Sequence, residues 1–385
     1  MDRRDLQLNA LLGITQAINN NVVEEDLFRI YRFTLLGDLK VTKMALFVHA
    51  DERWLHQVDF GTDINWVDYS LDNRFDDLKE SMLLQEDPEF SCFKWVIPIL
   101  HKEQLLALLF VGDVEDATFI KALTNIIIVA IENKRLARQR QQQEAYEKEL
   151  EIAKKVQNFL FPKSLPNAPE LKIEATYLPH HDVGGDYYDY IRLDLDKFLL
   201  CIADVSGKGV PAALLMSNFQ ATLHILARRT HDLEEIVNEL NASTLHSGNG
   251  ENFITFFAAI FDGASGDLSY VNCGHNPMYL IEGEKLRQLD KGTTILGIFN
   301  PLPFLEIEVI QELREFTFFG FTDGLTETFN EAGDDFGEER LERLIRGVDD
   351  LKFLHSSILQ ALDDFRGKAR YHDDITMLSC KVVRK

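Results

Sequence analysis

Four stretches in the second half of the chain place an aspartate where an apolar run meets a turn. Phe198 to Ala203 is continuously apolar, and Asp204 follows it, ahead of Val205-Ser206-Gly207-Lys208-Gly209. Phe316 to Thr322 ends at Asp323-Gly324. Asp373-Asp374 precede Ile375-Thr376-Met377-Leu378, and Gly184-Gly185-Asp186 precede Tyr187-Tyr188-Asp189-Tyr190-Ile191. A short apolar run bounded by turn residues reads as a buried strand. The carboxylates therefore sit at strand ends, where one end of a sheet can gather them. Converging carboxylates need cations, and hard oxygen donors suit Mg2+ or Mn2+.

Each feature also has a plainer reading. Taken singly, Asp323-Gly324 is a turn. Asp189 reads as a strand cap or a hydrogen-bond partner of a ligand rather than as a ligand. Ser206-Gly207-Lys208-Gly209 lacks the upstream glycine and the Ser/Thr after lysine that a phosphate loop requires. Instead Gly207 and Gly209 permit a tight turn, and Pro211 suits the first turn of a helix. His275, in Gly274-His275-Asn276-Pro277, reads as a turn-stabilising donor more readily than as a general acid. His180 and His181 lie nearer the acidic corner in sequence, yet neither can be placed as the acid for a leaving group. No H-E-x-x-H zinc motif occurs.

The elements that must position these residues belong to a chain of 385 residues, long enough for two domains. A net charge of −23 argues against nucleic acid or an anionic membrane as the main partner. Four widely spaced cysteines form no C-x-x-C pair and read as free thiols, three of them in or beside apolar runs. The N-terminus has no apolar signal core, and no apolar run reaches bilayer length. The expectation is a cytoplasmic protein with no membrane span.

In chain order, residues 3–20 have helical spacing, with Leu8, Leu11, Leu12, Thr15 and Ile18 sharing a face. A second helix opens at Glu24-Glu25-Asp26, acid in its first turn. Strands follow at Lys43 to Val48 and Trp54 to Phe60, then a helix-like stretch at Phe75 to Leu84. Lys94 to Leu100 and Leu105 to Val111 read as two strands joined by the polar turn 101–104. Helix begins at Asp116. Residues 131–160 hold no Gly or Pro and continue it. A 3-4 seam runs through Leu136, Gln139, Gln143, Tyr146, Leu150, Ala153, Gln157 and Leu160, weakened by its three glutamines. It reads either as a solvated connecting helix or as a marginal dimer element. Pro162 and Pro166 end it.

Beyond them strands are expected at 172–178, 187–193 and 197–203, and helices at 211–229 and 233–245. Asp232 with Glu235 makes a capping box. Thr255 to Phe261 and Leu268 to Cys273 bracket a hairpin turn. Strands at 278–281, 305–310 and 315–322, helices at 338–346 and 351–366, and a strand at 375–383 complete the chain. Strands joined by short turns, with helices in pairs, indicate an α+β fold of largely antiparallel sheets, not a doubly wound one.

The order of elements in residues 1–135, from Ile97-Pro98-Ile99 to the helix ending Ala130-Ile131-Glu132-Asn133, resembles a GAF domain. That resemblance implies an α/β sensor that takes a small-molecule or protein input, with a ligand-free dimerisation module as the alternative. Residues 136–163 would be a helical, coiled-coil-like linker.

Five ordered motifs in the rest of the chain resemble the PPM-type serine/threonine phosphatases, in their bacterial RsbU/SpoIIE subgroup. They are Gly184 to Asp189, Ala203 to Ala212, Cys273 to Pro277, Thr322 to Glu327 and Asp373 to Thr376. Ala153 to Pro162 also resembles the entry helix of this subgroup. The resemblance implies a phosphatase domain over 164–385, a β-sandwich flanked by helices, with two Mn or Mg ions per active site. Asp186 and Asp204 would lie beside both ions, the Val205 carbonyl would be a backbone ligand where many relatives carry Gly, and Asp323 and Asp373, with Asp374, would complete the set. Catalysis by Asp186, Asp204, Asp323 and Asp373 would act through water activated at the ions, without a covalent phosphoenzyme. The implied substrate is a phosphorylated STAS-domain anti-sigma-factor antagonist in a partner-switching pathway, and the implied assembly a homodimer. Two alternatives stay open: a non-catalytic scaffold with the same fold, and a metal-dependent phosphodiesterase or nuclease, against which the charge and the lack of basic stripes speak.

Overall fold

A computed structural model describes residues 2–384 except 51–52, 67–68, 70, 72–74, 85, 88 and 249. The chain divides into two units, Met1–Ala145 and Tyr146–Lys385.

The first unit opens with helices α1 (Arg3–Asn19) and α2 (Glu24–Phe33). Strands β1 (Met44–Ala50), β2 (Arg53–Phe60), β3 (Met82–Leu83), β4 (Trp95–His101) and β5 (Gln104–Val111) follow, and then the 42-residue helix α3 (Ala117–Asn158). The strands form one sheet in the order β2-β1-β5-β4-β3, antiparallel throughout. Alternate side chains of each strand point to opposite faces, so the sheet feeds two cores. Met44, Leu46, Val48, Ile97, Leu109 and Val111 pack with α1, α2 and the start of α3. Ala45, Phe47, Val96, Leu108 and Phe110 pack with Trp54, Trp66, Phe75, Phe90 and Phe93 in an aromatic cluster. Asp116 caps α3 by accepting from Phe119 N.

Two expectations are corrected here. The fully buried residues of α1 are Ala10, Ile14 and Ala17; of the expected face, Leu11 and Ile18 pack against the same core while Leu8 and Leu12 are exposed. Both stripes fit helical spacing, and packing chooses the one whose small alanines admit close approach. Residues 75–84 form no α-helix. Phe75 is drawn wholly into the aromatic cluster, and Met82–Leu83 pair with β4 instead.

The second unit is a sandwich of two six-stranded sheets, each covered by helices on its outer face. One sheet runs β14 (Gly292–Thr293), β11 (Asp267–Cys273), β10 (Ile254–Asp262), β9 (Lys197–Val205), β8 (Tyr187–Arg192), with β15 (Glu308–Ile310) also on β11. The other runs β13 (Lys285–Leu289), β12 (Met278–Glu282), β16 (Glu315–Phe321), β17 (Ile375–Val383), β7 (Leu171–Leu178), β6 (Asn167–Ala168). All the named pairs are antiparallel except β11 with β14. The facing sides share a core of Phe198, Leu200, Ile202, Phe257 and Phe261 against Ile173, Leu280, Phe316, Phe318, Leu378 and Val382.

Helices α4 (Val210–Arg229) and α5 (Leu233–Gly248) cover the outer side of the first sheet. Helices α7 (Glu338–Ile345) and α8 (Leu351–Arg366) cover that of the second. The one-turn helix α6 (Asp323–Thr326) follows β16 directly. The α+β, largely antiparallel architecture expected from the sequence is thus the one observed. Strand β13 was not expected, because only Leu289 of its five residues is buried and the alternation is lost.

Two further differences are local. Helix α4 is long and apolar enough to cross a membrane, contrary to the sequence reading. Here Met216, Phe219, Leu223 and Leu226 on one of its faces are buried in the core it shares with the first sheet. Asp232 accepts from Glu234 N, but Glu235 turns to Arg229 at 2.7 Å and leaves the capping box open. The cysteines are free thiols, with Cys201, Cys273 and Cys380 buried.

Candidate active site

Strand register brings the predicted aspartates to one end of the sandwich. In the first sheet Tyr187 pairs with Ala203, which sets Asp186 beside Asp204 across the ladder. In the second sheet Phe321 pairs with Met377. Asp323 leaves the end of β16 there, and Asp373-Asp374 enter β17. The sheets are joined at this end by hydroxyls: Thr322 Oγ1 donates to Asp186 Oδ2 at 2.8 Å, and Thr376 Oγ1 donates to the same oxygen. Thr376 N in turn donates to Thr322 Oγ1 at 2.9 Å.

Asp374 is buried and serves the neighbouring loop. Its Oδ1 accepts from His180 N at 2.7 Å and its Oδ2 from Gly185 N at 2.9 Å. Gly184 has no room for a side chain: a Cβ would lie 1.9 Å from Asp374 Oδ2 and 2.3 Å from Tyr177 Oη. The Val205 carbonyl oxygen lies against Gly185, where a Cβ would come within 2.8 Å of it. Asp373 faces outward. Lys208 Nζ pairs with its Oδ2 at 2.7 Å and donates to His372 O at 2.6 Å.

The electrostatics follow from this crowding. Burial pushes the Asp186 carboxyl well above its ordinary value, and Asp204 beside it adds to the rise. Asp204 is pushed up to about 7, first by burial and then by the charges of Asp323 and Asp373. Asp323 is raised by burial and by Glu327 and Asp373, with Lys208 opposing. A nearby cation reverses each of these effects. Tyr177 Oη, buried beside Asp374 and Asp186, has no hydrogen-bond partner among the described residues. Desolvated carboxylates, backbone carbonyls and an unpartnered hydroxyl form an all-oxygen donor set, which fits Mg2+ or Mn2+ in kind. Among the described residues no three His, Cys, Asp or Glu side chains already stand in an arrangement that could hold a metal ion. The set fits in the chemistry of its donors and in their place at one end of the sandwich.

The other candidates fall into place around this corner. His275 is buried and neutral. Its Nδ1 shares a 2.6 Å hydrogen bond with Thr255 Oγ1, and its Nε2 lies 3.2 Å from Phe321 O. Burial lowers its pKa to about 4, so it is not a proton donor held ready at neutral pH. Thr255 pairs with Asp204 across β10 and β9, and Phe321 precedes Thr322-Asp323. His275 therefore ties the strands that carry Asp204 and Asp323, a longer reach than the turn-stabilising role expected of it. Asp189 Oδ2 accepts from Tyr187 Oη and lies 2.6 Å from His224 Nε2 on α4, so it links β8 to α4. The rings of His180 and His181 lie against each other, centroids 4.4 Å apart. Sequence reading gave no role to Thr322, Thr376 or Lys208. Each sits within a quoted motif, but nothing in the types alone says that a hydroxyl will reach across to the other sheet.

Residues 194–383 match the SpoIIE family, described as Stage II sporulation protein E. The chain is 29% identical over 245 residues to the phosphoserine phosphatase RsbU of Bacillus subtilis, covering 61% of this chain and 70% of that one. It is 27% identical over 259 residues to protein IcfG of Synechocystis, covering 60% of this chain and 41% of that one. The match thus spans less than half the length of IcfG. Among solved structures, the SiaA-PP2C domain of Pseudomonas aeruginosa superimposes with a TM-score of 0.56 at 21% identity, covering 62% of this chain and 97% of that one. With the sandwich, the motif order and these matches together, the C-terminal part of this chain is a SpoIIE-family, PP2C-type protein serine/threonine phosphatase domain.

Proposed function

We propose that the whole chain is a metal-dependent phosphoserine/phosphothreonine protein phosphatase whose substrate is a phosphorylated STAS-domain anti-sigma-factor antagonist. In this reading Asp186, Asp204, Asp323, Asp373, Asp374 and the Val205 carbonyl hold two Mn or Mg ions. The observation that carries it is the gathering of desolvated carboxylates from both sheets at one end, where Asp186 and Asp204 are each raised by burial and by neighbouring carboxylates. Such an arrangement is unfavourable unless cations balance it. When bound, the ions supply positive charge that acidifies water and neutralises phosphoryl oxygens.

The chain's own residues do the positioning. Thr322 and Thr376 orient Asp186, and the backbone N–H groups of His180 and Gly185 orient Asp374. The substrate class rests on analogy with the RsbU/SpoIIE subgroup. We read residues 1–135 as a GAF-like sensor taking a small-molecule or protein input, which the separate five-stranded sheet with its own cores supports. We read residues 136–163 as the linker and 164–385 as the phosphatase domain, and the assembly as a homodimer. Four free cysteines support a reducing, cytoplasmic location.

The test is hydrolysis of p-nitrophenyl phosphate by the intact chain with and without Mn2+, beside Asp323→Asn. Activity should require Mn2+ and fall at least 100-fold in the variant, in line with loss of a directly placed catalytic group. Metal-independent activity, or an unaffected variant, rejects the metal mechanism. Phosphorylated STAS proteins from the same genome test the substrate, and failure against all of them removes that part alone.

A further inference from the structure

The hairpin that follows α6 is pinned on its inner side. Thr328 Oγ1 donates to Gly324 O at 2.7 Å, Phe336 N donates to Thr328 O at 2.9 Å, and Gly337 N donates to Thr326 O at 3.0 Å. Thr328 and Phe336 are thereby held inward, each 2% exposed. Side chains alternate along an extended segment, so Phe329 turns outward and is 37% exposed. Its backbone bridges to Asp335 across the hairpin. Its ring stands edge-on to that of His372, with centroids 5.9 Å apart and planes at 64°. His372 is exposed and immediately precedes Asp373. Lys208, in the turn after β9, fixes this neighbour: Nζ donates to His372 O at 2.6 Å and pairs with Asp373 Oδ2 at 2.7 Å.

A single exposed phenylalanine is ordinary on a protein surface. This one is set apart by its place. Its hairpin holds it, a second ring meets it, and that ring adjoins a carboxylate of the candidate site. The hairpin is also acidic, with Glu327, Glu331 and Asp335 exposed. We propose that Phe329 is a specificity-determining residue, an apolar shelf for the side chain that adjoins the phosphoserine of a protein substrate. The occupant that fits is a phosphoserine segment with an aliphatic or aromatic residue beside the phosphoserine and a basic residue beyond it. The apolar side chain covers the rings of Phe329 and His372. The basic one answers the carboxylates of the hairpin, which repel an acidic flank. The proposal rests on the reading of Asp373 as part of the reacting corner. Phe329 takes no part in the chemistry, so its contribution shows in KM rather than in kcat. A contact of this size in an apolar site is worth about tenfold in kcat/KM.

The experiment uses the full-length protein with Mn2+ and synthetic phosphoserine peptides, with phosphate release measured by malachite green. The first peptide carries leucine on both sides of the phosphoserine and lysine beyond. The second replaces the leucines with glycine, and the third keeps the leucines and replaces the lysines with glutamate. The parent should prefer the first peptide to the second by about tenfold in kcat/KM, through KM. Phe329→Ser should raise KM for the first peptide about tenfold and abolish the preference. Phe329→Leu, which keeps an apolar shelf, should restore most of it. The third peptide should show a higher KM than the first, by a margin that shrinks as salt is raised. A parent that does not turn over the first peptide, or does not prefer it, overturns the proposal. So does a preference that survives Phe329→Ser. An equal loss on the first and second peptides also overturns it, since that marks a structural effect on Asp373 rather than a shelf. Equal KM values for the first and third peptides overturn the basic flank. If Phe329→Ser does not fold, Phe329→Gln decides by the same criteria. Turnover of p-nitrophenyl phosphate separates the shelf from the reading beneath it. Turnover independent of Mn2+ rejects the metal reading. Turnover that needs Mn2+, in a parent without the leucine preference, rejects the shelf alone.

Discussion

Asp204 shows the conflict between stability and function in a single side chain. Its carboxyl is pushed up to about 7 by burial and by Asp323 and Asp373, against an ordinary value near 4. The folded chain therefore holds a proton at Asp204 that the unfolded chain releases. This contribution to stability is full below about pH 4 and is lost as pH rises through about 7. At pH 8 the folded state carries the repulsion in full. Asp204→Asn should then stabilise the metal-free protein at pH 8, by about 2 kcal/mol after relaxation, while Mn2+ ceases to raise its melting temperature. Urea unfolding without and with Mn2+ checks both halves. A destabilised metal-free variant would mean that the Asp204 carboxylate is held by partners rather than repelled by neighbours. The aspartates themselves were legible, because a carboxylate at the end of an apolar run is visible in the chain whatever the fold. Gln157, whose buried side chain pairs with the backbone of Gly184, was not legible, because a glutamine at helical spacing looks like any solvated helix position until its neighbour in space is known.

At the scale of elements, β17 and α8 are joined by a buried polar bridge. His355 on α8 makes 2.8 Å hydrogen bonds to Thr176 on β7 through Nδ1 and to Ser379 on β17 through Nε2. Burial lowers its pKa to about 4, so folding keeps it neutral where the unfolded chain, with a value near 6.5, takes up a proton. The resulting stability is full above about pH 6.5 and is lost as pH falls through about 4, amounting to about 3 kcal/mol at most. His355→Gln keeps hydrogen-bonding capacity without the titration. Between pH 6.5 and 4 the parent should lose about 3 kcal/mol relative to this variant in denaturant unfolding of the metal-free protein. Parallel pH dependences would show that His355 protonates freely in the fold.

Most elements were readable from spacing alone. Helix α8 and strand β17 fall where the sequence put them, since a sharp N-cap (Asp350, accepting from Phe353 N) and a buried apolar run leave little choice. The failures came where two patterns competed. On α1, Leu8-Leu12 and Ala10-Ile14-Ala17 are both helical stripes. At 75–84, helix formers lost to the burial of one phenylalanine.

For the whole molecule, the exposed leucines of α1 are the place to look for the proposed dimer. Leu8 and Leu12 are 55% and 49% exposed and lie one turn apart. An apolar pair left in solvent is a natural site for a second copy. Replacing both with Asp should convert a dimeric sedimentation coefficient to a monomeric one without lowering the melting temperature, since neither side chain is in the core. An unchanged mass would place self-association elsewhere or remove it.

What the sequence determined by itself was the local half of the problem. Asp186, Asp204, Asp323 and Asp373-Asp374 stand at the ends of apolar runs, the turns between strands are spelled out, and the order of motifs identifies the domain. These depend on neighbours in the chain and on patterns of period two or 3.6, which a linear text carries. Only the tertiary structure decided which groups face each other. It placed Thr322 and Thr376 on Asp186, His275 between the strands of Asp204 and Asp323, and Gln157 on Gly184. Those contacts are set by the stacking of two sheets and the stopping point of one helix, and no spacing along the chain encodes a distance across it.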